Sequence, residues 1–179
     1  MIDAAIAAGF THAAVIDTAE IPFEPAFRVC CEDNLCGNYN ANYACPPACG
    51  TVEEMAERIR SRKKALVLQT LWEIEDVMDM TQIKPAKKAH NRMQRSLLES
   101  FGPELPNGFS VGVSACDFCS RCAILDGVPC RIPEQQFSCM SAYCIYVKKL
   151  ADLCGMEYDC GRGLVAFFSM YVFGEEEPT

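Results

Sequence analysis

Four cysteines, Cys116, Cys119, Cys122 and Cys130, are the residues of this chain best suited to chemistry. They stand in the run Cys116-Asp-Phe-Cys119-Ser-Arg-Cys122, with Cys130 following after seven further residues. The thiolate is the nucleophilic and metal-binding form of cysteine. A loop that presents a sulfur every third residue can offer them to different irons of one cubane cluster, as in the bacterial C-x2-C-x2-C run. Cys130 can supply the fourth bond. The match has departures. In two-cluster ferredoxins the next cysteine comes after three residues and a proline follows it directly, whereas here Pro133 lies three positions beyond Cys130. Zinc is the rival metal. Structural zinc sites usually pair two C-x2-C knuckles, or a knuckle with histidines. The chain has two histidines, His12 and His90, and neither is near these cysteines in sequence. A four-cysteine zinc site stays open.

A second group lies upstream: Cys30, Cys31, Cys36, Cys45 and Cys49. Pro46 and Pro47 follow Cys45 directly. Two prolines fix φ and remove two N–H donors, so the chain is stiff beside that sulfur and suited to a preset site. The alternative is packing, because free cysteine behaves as a small hydrophobic residue. Cys31, Cys36 and Cys45 rank ahead of Cys30 and Cys49 as ligands. Whether the two groups make one site or two stays open.

Both groups carry a resemblance. Cys31-Glu-Asp-Asn-Leu-Cys36-Gly-Asn-Tyr39, closing on Tyr43-Ala-Cys45-Pro-Pro47, resembles the N-terminal signature of DUF2284, a family of predicted metal-binding proteins without an assigned function. Cys116-x2-Cys119-x2-Cys122, then Gly127-Val-Pro-Cys130-Arg-Ile-Pro133, then Ser141-Ala-Tyr143 and Ile145-Tyr-Val147, is similar to its C-terminal block. The likeness covers roughly residues 25 to 160. It implies seven ligands: Cys31, Cys36, Cys45, Cys116, Cys119, Cys122 and Cys130. It implies no activity. On the same alignment Cys30, Cys49, Cys139, Cys144, Cys154 and Cys160 fall where the family does not ask for cysteine. Cys139 would replace a serine and Cys144 a glycine. These six are expected to be core packing, with a second metal as the alternative.

Thirteen cysteines raise the question of disulfides. The N-terminus carries Asp3 and no basic residue, and its apolar run is broken at Gly9, Thr11 and His12, unlike a secretory signal. No stretch approaches the ~20 apolar residues of a membrane span. A cytoplasmic location and reduced thiols are therefore expected. The net charge of −8 argues against nucleic acid, whose phosphates demand a basic footprint. Against that background Lys84, Lys87, Lys88, His90, Arg92 and Arg95 form a basic stretch. It is expected to be a solvated helix face, with docking of an acidic redox partner as the alternative. Tyr39, Tyr43 and Phe118 flank ligand cysteines, where they could shield a cluster from water or simply pack.

The elements that must position these residues follow from pattern. The length of 179 residues favours one domain, residues 1–179. A short helix is expected over 3–9, stopped by Gly9, and a strand over Ala13–Asp17. Ile21 to Pro25 should be extended or turn, with a second strand at Phe27–Cys30. Thr51-Val-Glu-Glu54 fits a capping box, opening a helix with Val52, Met55, Ala56 and Ile59 on one face. Ala65–Trp72 reads as a strand buried on both faces. A helix follows over Asp76–Phe101, bent or broken at Pro85, with Ala89, Met93 and Leu97 on one face. Strands are expected at Phe109–Val113 and Gly163–Phe173. Between them a helix is expected over Met140–Leu153, with Met140, Tyr143, Val147 and Leu150 inward. Glu175–Glu177 should fray. The pattern implies an α/β (α+β) sandwich: a single mixed sheet with helices packed on it, and cysteine loops at strand ends.

The chemistry expected is thus cysteine-ligated metal binding. The first candidate is an iron–sulfur redox accessory protein with a [4Fe–4S] cluster, one or two, and a redox partner protein. The second is a zinc-stabilised binding module. The third is a metalloenzyme whose metal keeps an open position, which Cys31, Cys36 and Cys45 alone would leave. No Gly-rich phosphate loop and no Ser/His/Asp set stands beside these.

Overall fold

Two nearly continuous apolar runs pair along their whole length and make the centre of the molecule. A computed structural model describes residues 1–174, so the expectation at Glu175–Glu177 lies outside the described residues. The strands are His12–Asp17 (β1), Lys64–Glu73 (β2), Gly108–Gly112 (β3), Ser138–Cys139 (β4) and Leu164–Phe173 (β5). They form one mixed sheet in the order β1-β2-β5-β3-β4. Neighbours are antiparallel except β3 and β4, which run parallel with Gly112 opposite Cys139. The helices are Ile2–Ala7 (α1), Arg28–Glu32 (α2), Val52–Arg60 (α3), Met80–Ser100 (α4) and Val147–Leu153 (α5).

Side chains alternate across a strand, and here each face meets its own helices. Ala65, Val67, Val111, Met170 and Val172 pack with Met55 and Ile59 of α3 and Leu150 and Ala151 of α5. Leu66, Leu68 and Tyr171 pack with Ala5 of α1 and Leu97 and Leu98 of α4. The central strands are thus covered on both sides, as their unbroken hydrophobicity requires. The single mixed sheet with packed helices is the α+β arrangement expected. The capping box at α3 is present in full: Glu54 N–H donates to Thr51 Oγ1 and Thr51 N–H donates to the Glu54 carboxylate.

Three expectations need correction. Phe27–Cys30 is not a strand but a 3-10 turn, Pro25–Phe27, running into α2. Glu24 caps that turn, and Pro25 at its first position has φ preset for helix. The helix expected over Met140–Leu153 begins only at Val147. Cys144 adopts a left-handed φ of 54°, and Ile145 pairs with Phe23 instead of continuing a helix. Met140, Tyr143 and Leu150 are still buried, and Val147 packs against them. Pro85 forfeits one bond near the start of α4, yet the helix runs on to Ser100. Its start is at Met80, because the Asp79 carboxylate accepts the Thr81 N–H and caps it there.

The inner side of α4 is unusually polar. His90 is fully buried, so it is no part of the basic surface. Its Nδ1 lies 2.7 Å from Thr70 Oγ1 and its Nε2 2.8 Å from Ser169 Oγ. Gln94 Nε2 donates to the Met170 carbonyl at 2.7 Å. These bonds fix both the position and the rotation of α4 on the sheet. Burial pushes the His90 imidazole down to about 3. The unfolded chain protonates that ring near pH 6.5, so between the two values the unfolded state binds more protons. Stability from this residue is full above about pH 6.5 and is lost as pH falls toward about 3. We expect the difference in urea midpoint between wild type and His90→Gln to shrink as pH is lowered from about 7 to about 4.

Candidate metal centre

β3 delivers the chain directly into the downstream cysteine loop, and α4 grips that loop from the side. Asn91 Oδ1 accepts the Val113 N–H at 3.1 Å, and its Nδ2 donates to Ser114 Oγ at 3.0 Å. One helical turn further on, Arg95 pairs with Asp117 at 3.0 Å. Its guanidinium also lies over the Phe118 ring, 4.8 Å from the centroid. Asp117 and Phe118 are the two residues between Cys116 and Cys119. The spacer of this C-x2-C unit is therefore what holds it to the fold. Phe118 is needed there as a platform for Arg95, with the Phe137 ring at its edge. Gly112 lets Phe137 approach closely: a Cβ there would stand 2.5 Å from its ring.

The upstream loop is tied to this one by hydrogen bonds. Asn42 Nδ2 donates to the Cys116 carbonyl at 3.0 Å, while Asn42 Oδ1 accepts the Ala44 N–H at 2.9 Å. The Tyr43 N–H points at Cys122 Sγ, 3.4 Å away. The Tyr43 hydroxyl donates to the Val128 carbonyl, and Gln136 Nε2 donates to the Tyr43 carbonyl. α2 is anchored separately. Arg28 donates to the Ala142 carbonyl at 3.2 Å, and Cys31 Sγ lies 3.8 Å from the Ser141 carbonyl.

Together these ties put the cysteines around two adjoining cavities at the end of β3. The larger is about 740 Å³, and Cys116, Cys119, Cys122, Cys130 and Cys36 lie on its wall. The smaller is about 230 Å³, with Cys30, Cys31, Cys36, Cys45 and Cys139 on its wall. Cys36, Asn38, Lys87, Ser114 and Ala115 face both. All seven cysteines singled out in the sequence thus line this pair of cavities, in two sets. Cys49, Cys144, Cys154 and Cys160 line neither. Among the described residues no three Cys, His, Asp or Glu side chains are gathered on a single point as one small ion would require.

All thirteen cysteines are free thiols. Burial raises the Cys116, Cys139 and Cys45 thiols, and it pushes Cys31 up to about 11, with Cys139 beside it adding to the rise. Thiols in such surroundings stay protonated unless a cation takes the proton's place.

The family profile described as "Predicted metal-binding protein (DUF2284)" matches residues 14–173. The chain belongs to this family. No curated protein and no solved structure matches the chain. The DUF2284 match takes in all thirteen cysteines and every strand but the start of β1. Metal binding is therefore the property that family and thiol content support together. Two features of this DUF2284 fold were beyond sequence reasoning. Cys139 sits on β4 at a cavity wall, and Asn42 links the two loops. A carboxamide between two cysteine runs gives no signal of its partner 74 residues away.

The tie through Asn42 can be tested. Replacing it by Leu leaves the Cys116 carbonyl and the Ala44 N–H without their partner in a buried place, which costs about 1–3 kcal/mol. We expect Asn42→Leu to lower the urea midpoint accordingly and to release bound metal faster to a chelator.

Proposed function

We propose that this DUF2284 protein carries an iron–sulfur cluster on Cys116, Cys119, Cys122 and Cys130 and serves as an electron-transfer accessory protein. The observation that carries the proposal is the arrangement of these thiols around a cavity of about 740 Å³. Tetrahedral zinc holds its sulfurs at about 2.3 Å from the ion, which brings them into mutual contact. A cubane instead spreads its cysteines around a body of four irons and four sulfides. The i, i+3, i+6 spacing supports the same choice. When bound, such a cluster accepts and returns single electrons.

The chain's own residues suit that role. The Tyr43 N–H directed at Cys122 Sγ favours the charged sulfur and would bear on the reduction potential. Lys84, Lys87, Lys88, Arg121 and Arg131 line the same cavity, while its one acidic side chain, Asp117, is held by Arg95. A cluster on four thiolates is anionic, and these cations offset it. They also give an acidic chain a basic mouth where electrons would enter. Complementary charge steers encounter, so the redox partner is expected to be acidic at its docking surface.

Protein purified anaerobically from a host kept reducing should contain iron and acid-labile sulfide in equal amounts, with a visible charge-transfer band. Cys119→Ala should lose the share of that band that belongs to this cluster. A colourless protein with stoichiometric zinc overturns the proposal. For the mouth, the probe is ferricyanide acting on the reduced protein. Lys84→Glu/Lys88→Glu should be oxidised several-fold more slowly at low ionic strength, and the difference should vanish at high salt, where charges are screened.

A further inference from the structure

The smaller cavity is walled by thiols from separate parts of the chain. Cys31 comes from α2, Cys36 and Cys45 from the turns that follow it, and Cys139 from β4 more than ninety residues later. We propose that Cys31, Cys36, Cys45 and Cys139 form a second four-thiolate metal site beside the first. Its filling as a second [4Fe–4S] cluster rests on the reading given above, whereas the ligand set does not.

Several observations converge on Cys139 as the fourth ligand. Its place is fixed by the β3–β4 pairing, where it lies opposite Gly112. The turn that follows it is the one that α2 grips, through Arg28 on the Ala142 carbonyl and Cys31 on the Ser141 carbonyl. The same contacts that seat α2 therefore bring Cys31 toward Cys139. Cys31, Cys36, Cys45 and Cys139 all lie on the wall of this one cavity. Ser141 and Ala142, in the turn that follows Cys139, lie on the same cavity wall. Lys87 stands on the same wall and offsets anionic charge. The cavity, about 230 Å³, has far more room than one ion needs.

Cys30 is the other thiol on this wall. It is exposed, and it directly precedes Cys31 on α2. Successive residues of a helix do not face the same way, and Cys31 is the one drawn in, half-buried with its Sγ against the Ser141 carbonyl, which leaves Cys30 at the exposed edge of the wall.

The test is metal content per chain in anaerobically prepared protein, with or without chemical reconstitution. Wild type should hold two clusters' worth of iron and sulfide. Cys139→Ala should lose about half of each, Cys116→Ala the complementary half, and Cys30→Ala and Cys154→Ala none. If the metal proves to be zinc, the iron–sulfur reading falls, and a halving of zinc in Cys139→Ala still supports the ligand set. Wild type with a single site's worth of metal overturns the second site, whatever the folding of the variants. So does a metal content unchanged by Cys139→Ala, or halved by Cys30→Ala in its place.

Discussion

The carboxamide of Asn42 accepts from the Ala44 N–H and donates to the Cys116 carbonyl, so one side chain closes the upstream cysteine loop and holds the downstream one. Thiols that bind metal need to be close together, yet their ionised forms repel and resist burial. A chain that must keep its ligands in place before metal arrives cannot rely on the ligands themselves. Here the holding is done by groups around them: Asn42, the Tyr43 hydroxyl, Gln136, the Asn91 amide, Arg28 and the Arg95–Asp117 pair. Those on α4, Asn91 and Arg95, depend in turn on how that helix is seated. That is the service of His90 and Gln94, which cross-link the helix to Thr70, Ser169 and Met170 of the central strands.

Charge is distributed with the same economy. The protein is acidic overall, at −8, but the charged residues facing the larger cavity are mostly cationic. Arg95 leaves this group by pairing with Asp117 and covering Phe118. Lys87 serves both cavities. The basic stretch seen in the sequence therefore divides by helical phase. His90 goes into the core, Arg95 holds the loop, and the lysines near the start of α4 face the thiols.

Much of this was legible in advance. Strands such as β2 and β5 announced themselves by apolar runs that only a doubly covered position can accommodate. The capping box at Thr51 marked the start of α3 to the residue. The downstream cysteine set was visible because its members are close in sequence, so spacing stands in for geometry. The errors arose where local pattern and tertiary contact compete. Met140, Tyr143, Val147 and Leu150 do keep helical spacing and do face the core. Pairing of Ile145 with Phe23 and the left-handed turn at Cys144 nonetheless break the helix there. At Phe27–Cys30 the opposite happened, and the Glu24–Pro25 start signal outweighed a short apolar run. Cys139 was hidden for a different reason. Its neighbours are set by a two-residue strand and a long sequence separation, and neither leaves a trace in composition.

The wall common to the two cavities is made of Asn38, Lys87, Ser114 and Ala115, with Cys36 as the thiol that both chambers share. Injury at that point would not be compartmentalised, since the thiol at position 36, once oxidised, would be a defect in the walls of both.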